Sequence, residues 1–461
     1  VLEIDLSTLN TGQSESLEKL LIWLKDPEDT RKAVLRGPAG VGKSFLTSIF
    51  LHLASEEIGA HNIQATSTTH KATGVLRSFL NKVGLDSIKT STIHSYLCLQ
   101  PKSLGPKKTL VRKRGGYKTT EYCKLLVMDE CSMCGKNIND FLEEEYGIYF
   151  KKVLFIGDKL QLPPIDDGGD GGASLTFNAE VDCELTEPVR QSKGNPIIDL
   201  SMHLRECILT GSDPVVETNI IDGKGVVLVP GLKYDRLMRD QFMINHKWHL
   251  GADPRYNIDY VRSVAWMNKS VSGNNLMIGQ HLYGEDYQKF NIGATVVTYN
   301  PVMTKTTGKK DVLANNNEEM VIVGHSVGTH PVYSEFDCDI VELQKDNGDV
   351  IKAYCICDTD VDDLQIQINT LKKKKQWKQL YELTESMDLI EPAYSLTSHK
   401  SQGSSFTNVF VDNVDMAVIL RMNLPHPSGD RMQTYEEKLD TYLRMLYVGV
   451  TRATDRVYIK V

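Results

Sequence analysis

Arg36 to Phe45 reads RGPAGVGKSF, and the nature of the whole first half of the chain follows from these ten residues. Gly37-x-x-x-x-Gly42-Lys43-Ser44 is the phosphate-loop pattern. Its glycines let backbone N–H groups point into a loop around phosphates, its lysine reaches the outer phosphates, and its serine hydroxyl takes Mg²⁺. The flanks agree. Ala33-Val34-Leu35 is a short apolar strand, and Phe45 to Leu51 reads as a helix, so the loop opens a helix whose N-terminus favours anions. Gly37, Pro38, Ala39, Gly40, Val41, Gly42, Lys43, Ser44 and Phe45 are therefore the expected seat of ATP, with Ser44 as a ligand of Mg²⁺.

At 461 residues the chain exceeds what one core usually organises, so at least two domains are expected. Hydrophobic content of 41% and charged content of 24% are those of a globular protein. No run approaches the ~20 apolar residues of a membrane span, and VLEIDLSTLN lacks the basic-then-apolar layout of a signal peptide. A cytoplasmic protein, of a bacterium or its phage, with no membrane partner is the expectation. The nine cysteines form no even framework and read as reduced thiols, because Cys131-x-x-Cys134 and Cys355-x-Cys357 have nothing to complete a zinc set. Net charge is -8, yet Pro101 to Lys124 gathers eight lysines and arginines against one acid, Glu121, and Lys372 to Lys375 is a second basic run. Such clusters suit phosphate contacts within an otherwise acidic protein.

A phosphate loop needs a second metal-holding element. Lys124-Leu-Leu-Val-Met-Asp129-Glu130 supplies a buried strand ending in two acids, where parallel sheets present their ligands. Asp129 is expected on Mg²⁺, and Glu130 is expected to orient and deprotonate the attacking water. Val153 to Ile156 is a further strand running into GDKLQLPP, where Gln161 is placed to sense the γ-phosphate. Alternating strands and helices with ligands at strand ends imply an α/β fold built on a RecA-like parallel sheet.

The ordered motifs now become specific. After Thr11-Gly12-Gln13 and GPAGVGKS come ATSTTHKATGVL (Ala65 to Leu76), TSTIHSYL (Thr90 to Leu97), MDECSM (Met128 to Met133) and GDKLQLPPI (Gly157 to Ile165). LTEPVRQS (Leu185 to Ser192), VAWMNKSV (Val264 to Val271), TSHKSQGSSF (Thr397 to Phe406) and LYVGVTRAT (Leu446 to Thr454) follow. The series resembles a superfamily 1 helicase of the 5′-to-3′ branch that includes RecD and the phage helicase Dda, and it spans nearly the whole chain. In layout it is most similar to the Dda-like members. The resemblance implies two RecA-like motor domains closing on ATP, and ten motifs in order carry it.

It also implies roles. Gln13 matches the glutamine that reads adenine, a task suited to an amide that donates and accepts together. Arg190 and Arg452 match the arginine fingers that stabilise transition-state charge, joining Lys43, Glu130 and Gln161 as catalytic residues. Gln402 and Gly403 match positions that couple nucleotide to the DNA track. The track itself is implied at Thr69, His70, Thr92, His94, Asn268, Lys269, Ser398, His399 and Lys400, mostly neutral groups that make modest, breakable phosphate contacts.

Thr109 to Arg114, Gly115-Gly116 and Tyr117 to Thr120 read as a hairpin, with Tyr117 as the strand-separating aromatic. From about Ile292 to Glu391, short strand-like runs imply a β-barrel, which the resemblance makes SH3-like, followed by a helical stretch from Asp363 to Met387. The expected division is 1–97 and 123–195 for the first motor domain, 98–122 for the hairpin, 196–291 and 392–461 for the second motor domain, and 292–391 for the insertion. The implied function is an ATP-dependent 5′-to-3′ DNA helicase in replication or repair, monomeric. It would act on single-stranded DNA and single/double-strand junctions, with a single-strand binding protein among possible partners. An RNA-acting or protein-displacing translocase and a nucleotide-gated DNA-binding switch are the alternatives. DNA-stimulated turnover separates the switch, and comparable activity on RNA would favour the RNA-acting translocase.

Overall fold

Buried strands of a parallel sheet are apolar on both faces, and the first half of the chain is written that way. The computed structural model describes residues 6–26, 30–104, 107–112, 122–164, 174–187, 194–251, 253–305, 311–345, 347–426 and 429–461. Helix α1 (Thr11–Lys25) leads to β1 (Lys32–Arg36), then α2 (Lys43–Ile58), β2 (Ile63–Ser67), α3 (His70–Lys82), β3 (Lys89–Thr92) and the one-turn α4 (Ile93–Tyr96). A hairpin, β4 (Leu99–Leu104) and β5 (Lys107–Arg112), precedes β6 (Cys123–Asp129), α5 (Lys136–Glu145), β7 (Phe150–Gly157) and β8 (Val181–Glu184). The sheet order is β3-β2-β6-β7-β1-β8, all parallel. Strand β7, which leads toward Gln161, therefore lies between the phosphate-loop strand β1 and the Asp-Glu strand β6, the RecA-like order, and all three C-terminal ends converge.

The second unit begins with α6 (Pro196–Thr210), β9 (Asn219–Ile221), β10 (Lys224–Val229), α7 (Gly231–Leu250), β11 (Val261–Ala265) and α8 (Asn268–Tyr283). Strands β12 (Thr295–Thr298), β13 (Val302–Met303), β14 (Val312–Ala314), β15 (Glu319–Thr329), β16 (Asp337–Gln344) and β17 (Val350–Ile356) are followed by helices α9 (Val361–Lys373) and α10 (Trp377–Ser386) and by β18 (Ile390–Pro392). The chain then returns through β19 (Ser395–Thr397), α11 (Ser398–Ser401), β20 (Phe406–Val411), α12 (Asn413–Ala417), α13 (Tyr435–Thr451) and β21 (Ala453–Lys460). The second sheet, β19-β11-β20-β21-β10-β9, is parallel except at its edge strand β9.

Between the two halves of that sheet sits a five-stranded antiparallel sheet, β17-β16-β15-β12-β18. Towards the end of β16, Val341 and Leu343 are buried while Glu342 and Gln344 are not, as when one face is covered. Val296, Met320, Ile322, Val341 and Leu343 share a core with Tyr234, Phe242 and Phe410 of the second unit, so the insertion is packed onto its host.

Two sequence expectations need correction. Lys107–Arg112 is the second strand of the hairpin, registered from Leu99 opposite Arg112 to Leu104 opposite Lys107, so the connection is Gly105-Pro106. Gly115, Gly116 and Tyr117 lie outside the described residues. The helical stretch expected from Asp363 to Met387 is two helices, separated where Lys375 takes a left-handed φ of 54°.

Candidate nucleotide and nucleic-acid site

The loop after β1 is shaped by glycine. Gly42, at φ 83°, caps α2 without a side chain of its own, which leaves the first N–H groups of the helix facing the loop. Gly37 lies against β8: a Cβ there would meet the Leu185 carbonyl oxygen at 2.3 Å. The Lys43 ammonium, donating to the carbonyls of Gly37 and Pro38 at 2.7 Å each, is wrapped by its own loop. Burial pushes its pKa down, opposed by Asp158, Glu130 and Asp129. Gln13 is 1% exposed. Its Oε1 accepts from the Asn10 N–H at 3.2 Å and its Nε2 donates to the Val41 carbonyl at 3.1 Å. The expected adenine reader thus caps α1 and steadies the phosphate loop. Ser44 and Phe45 open α2, with Phe45 exposed.

Asp129 ends β6, and its Oδ1 accepts the Glu130 N–H at 2.9 Å. Burial, then the neighbouring Glu130 carboxylate, pushes the Asp129 pKa up. Glu130 takes a left-handed φ of 53°, a strained conformation for a side chain and one that turns it out of the strand direction. Asp129 and Glu130 both act on the ammonium of Lys43, the residue next to Ser44, and two carboxyl groups gathered by a hydroxyl-bearing phosphate loop are a donor set that fits a divalent cation when ionised. Asp129 and Ser44 are the residues that would hold Mg²⁺.

The far wall comes from the second sheet. Gln402 Nε2 donates to the Leu162 carbonyl at 3.3 Å, although the two residues are 240 apart in sequence. Gly403, at φ 73°, is so close to the first unit that an added Cβ would lie 3.0 Å from the Ala72 Cβ and 3.9 Å from the Glu130 Cγ. Arg452, 6% exposed, holds the same loop through the Ser404 carbonyl at 3.2 Å, while its Nε has no hydrogen-bond partner among the described residues. The Gln161 Oε1 is likewise buried and without such a partner. Arg190 lies outside the described residues. Glu130 and Leu162, the residue after Gln161, therefore lie against the Gln402-Gly403 loop, which Arg452 holds from its own side.

Three of the track segments share one construction. Thr69, Thr92 and Thr397 stand at or just after the C-terminal ends of β2, β3 and β19 and cap α3, α4 and α11, accepting from the N–H groups of Ala72, Ser95 and Lys400. A capping hydroxyl accepts from the backbone and keeps its proton to donate outward. One or two residues on come His70, His94 and His399. Burial lowers the pKa of His70, and it holds His399 down to about 4, so His399 is neutral at ordinary pH. Asn268 and Lys269 are exposed at the start of α8. Ser398 is fully buried, with its Oγ donating to the Ala265 carbonyl at 3.4 Å, so its side chain positions the turn rather than facing a ligand. The Lys400 ammonium stands 2.6 Å from the centre of the Tyr299 ring and has no hydrogen-bond partner among the described residues.

Sequence reasoning missed one contact of this cleft. Asp158, 1% exposed, accepts from Arg205 Nη1 on α6 and from the Tyr447 hydroxyl on α13, at 2.5 Å each. It follows β7, whereas both partners belong to the second unit. GDKLQ marked the acid, but nothing local marks Arg205. The hairpin is held by Arg112, which pairs with Glu145 on α5 and donates to the Leu97 carbonyl at 3.1 Å.

Residues 8–209 match the family described as AAA domain, a stretch that holds the phosphate loop and the Asp-Glu strand and runs into α6. An uncharacterised protein of Acanthamoeba polyphaga mimivirus is 23% identical over 478 residues, covering 88% of this chain and 94% of that protein. An uncharacterised protein of Methanocaldococcus jannaschii is 29% identical over 180 residues, covering 37% of this chain and 15% of its own length. Among solved structures, a Pif1 helicase from Candida albicans is similar at TM-score 0.46 and 15% identity, covering 98% of this chain and 94% of that one. A Pif1 helicase from Bacteroides, solved with ADP-AlF3 and ssDNA, gives 0.43 and 17%, covering 96% and 91%. No helix among the described residues is long and apolar enough to cross a membrane.

Proposed function

We propose that this chain is an ATP-driven DNA helicase that moves 5′ to 3′ along a single strand and separates the duplex ahead of it. The observation that carries the reading is the apposition of Gly403 to Ala72 and Glu130. One contact brings together the expected catalytic base, the first turn of the helix that follows Thr69, and the loop that follows Lys400. A site whose two walls lie on separate sheets can open and close, and a nucleotide between them biases that equilibrium. Residues 1–97 and 123–195 form the first motor domain in this account, and 196–291 and 392–461 form the second. The hairpin within 98–122 serves as the wedge and the insertion 292–391 overlies the track.

ATP would lie on the N-terminus of α2, with Lys43 on its outer phosphates. Mg²⁺ held by Ser44 and Asp129 would neutralise phosphate charge. Glu130 orients and deprotonates the attacking water, and Arg452 and Arg190 meet the charge that develops. The threonine hydroxyls, the histidines and Lys400 grip phosphates along both sheets. The 5′-to-3′ direction rests on the sequence resemblance.

Steady-state ATP hydrolysis with and without single-stranded DNA tests the motor reading. Stimulation of at least tenfold, lost in Lys43→Ala, is expected of a motor that steps. Slow turnover that saturating DNA leaves unchanged would instead mark a nucleotide-gated switch.

A further inference from the structure

Lys71 follows His70 in the first turn of α3, yet its side chain does not turn toward the proposed track. Its ammonium reaches across the cleft to Glu319 Oε1 at 2.8 Å and to Asp259 Oδ1 at 3.4 Å. Glu319 begins β15 of the inserted sheet. Its other oxygen, Oε2, accepts from Arg262 Nη2 at 2.8 Å, and Arg262, 2% exposed on β11, also donates to the Ala393 carbonyl at 2.7 Å. Both cations lie over the same Phe406 ring, Lys71 at 4.8 Å and Arg262 at 4.7 Å from its centre. Phe406 closes the segment that contains Lys400, Gln402 and Gly403. Helix α3 of the first unit and β11 of the second thus each send a cation to one carboxylate of the insertion, over the ring that begins β20.

The two halves of this cluster are not equivalent. Arg262, Asp259, Phe406 and Glu319 all belong to the second unit and its insertion, so their contacts persist whatever the cleft does. Lys71 alone comes from the first unit. Two cations hold the buried Glu319 carboxyl below the usual carboxylate range despite its burial. Arg262 remains to partner Glu319 when Lys71 withdraws, so the Lys71 contact is breakable at modest cost, as a buried carboxylate with no other cation would not permit.

Resting on the helicase reading above, we propose that Lys71 and Glu319 form a clasp that closes with the ATP-bound cleft. It locks the first turn of α3 against the inserted sheet and so ties nucleotide state to the grip on single-stranded DNA. Lys71 is a positioning residue: it sets the place of Thr69 and His70 relative to the insertion and touches neither nucleotide nor DNA. Coupling of this kind adds to affinity only in the state where both contacts exist.

The test is single-stranded DNA affinity of the full chain, measured by fluorescence anisotropy of a labelled oligonucleotide with and without a non-hydrolysable ATP analogue. Lys71→Met and Glu319→Gln are each expected to reduce the affinity gain conferred by the analogue about five- to twentyfold, leaving affinity without nucleotide within about twofold of wild type. The double variant is expected to lose no more than the single ones, since both break the same contact. A Lys71→Met loss that is equal with and without the analogue, and that Glu319→Gln does not share, would make Lys71 a DNA-phosphate ligand and overturn the clasp. Lowered melting temperatures with an unchanged analogue-induced gain would reduce the cluster to a structural ion pair and overturn it equally. Wild-type protein showing no analogue-dependent change in DNA affinity would instead be a failure of the motor reading.

Discussion

Gly403→Ala perturbs the cleft at the point where its walls are closest. The new methyl meets two obstacles. The φ of 73° places any L-residue in the left-handed region, costing roughly 1–2 kcal/mol, but that strain is present whether the cleft is open or closed. The second acts only on closure: the added Cβ would stand 3.0 Å from the Ala72 Cβ, well inside ordinary van der Waals contact. Ala72 is 6% exposed in the capped first turn of α3, so it has little room to yield. Overpacking of this order costs about 1–3 kcal/mol, which applied to closure alone lowers DNA-stimulated ATP turnover roughly 5- to 150-fold. Removing the opposing methyl isolates that contribution. The pair Ala72→Gly with Gly403→Ala keeps the backbone strain but relieves the clash, and is expected to recover at least tenfold of the lost turnover when the single-variant loss is larger than that. Steady-state hydrolysis with saturating single-stranded DNA, alongside a thermal melt for each variant, is the assay. Wild-type turnover in Gly403→Ala, or a double variant no better than the single one, would refute cleft closure at this contact.

Three further outcomes are expected. Burial lowers the Lys400 pKa to about 8, opposed by Glu391, so the ammonium loses its charge as pH rises from 7 to 9; DNA affinity is expected to fall about fivefold over that interval, and to stay flat in Lys400→Gln, as read by anisotropy titrations at constant ionic strength. Tyr447→Phe deletes the hydroxyl that donates to the buried Asp158 at 2.5 Å, and the loss of a hydrogen bond to a charged group, about 1.5–3 kcal/mol, is expected to lower the thermal midpoint and slow ATP hydrolysis together. In Gly157→Ala the new Cβ would lie 2.7 Å from the Cys131 Sγ and 3.3 Å from two backbone nitrogens, so urea unfolding is expected to show a loss of about 1–3 kcal/mol, partly restored by Cys131→Ala.

What could be read from the sequence was what local chemistry writes down. RGPAGVGKSF specifies a loop whose glycines the backbone uses at φ 81° and 83°, and KLLVMDE specifies a strand buried on both sides up to its acids. The parallel sheets followed from such runs, and the strands of the insertion from short strand-like runs between about Ile292 and Glu391. Contacts made by single charges over long separations left no such trace. Asp158 and Arg205 are 47 residues apart, and Lys71 and Glu319 are 248 apart, with no periodicity in either neighbourhood. Ser398 was given a DNA contact because it stands beside His399 and Lys400, but a side chain at the start of a one-turn helix can face inward, and this one does. Gly115-Gly116 is the stronger-looking turn signal, but the strands that pair are joined ten residues earlier, between Leu104 and Lys107. Lys375 breaks the helical stretch with a backbone angle that its residue type does not announce.

Strand separation on two partial duplexes, one with a 5′ single-stranded tail and one with a 3′ tail, decides whether the chain opens a duplex and in which direction it moves. With ATP and Mg²⁺, opening of the 5′-tailed substrate alone, abolished in Lys43→Ala, is the expected result. Opening of the 3′-tailed substrate alone would contradict the direction, and opening of neither, with DNA-stimulated hydrolysis intact, would contradict strand separation itself.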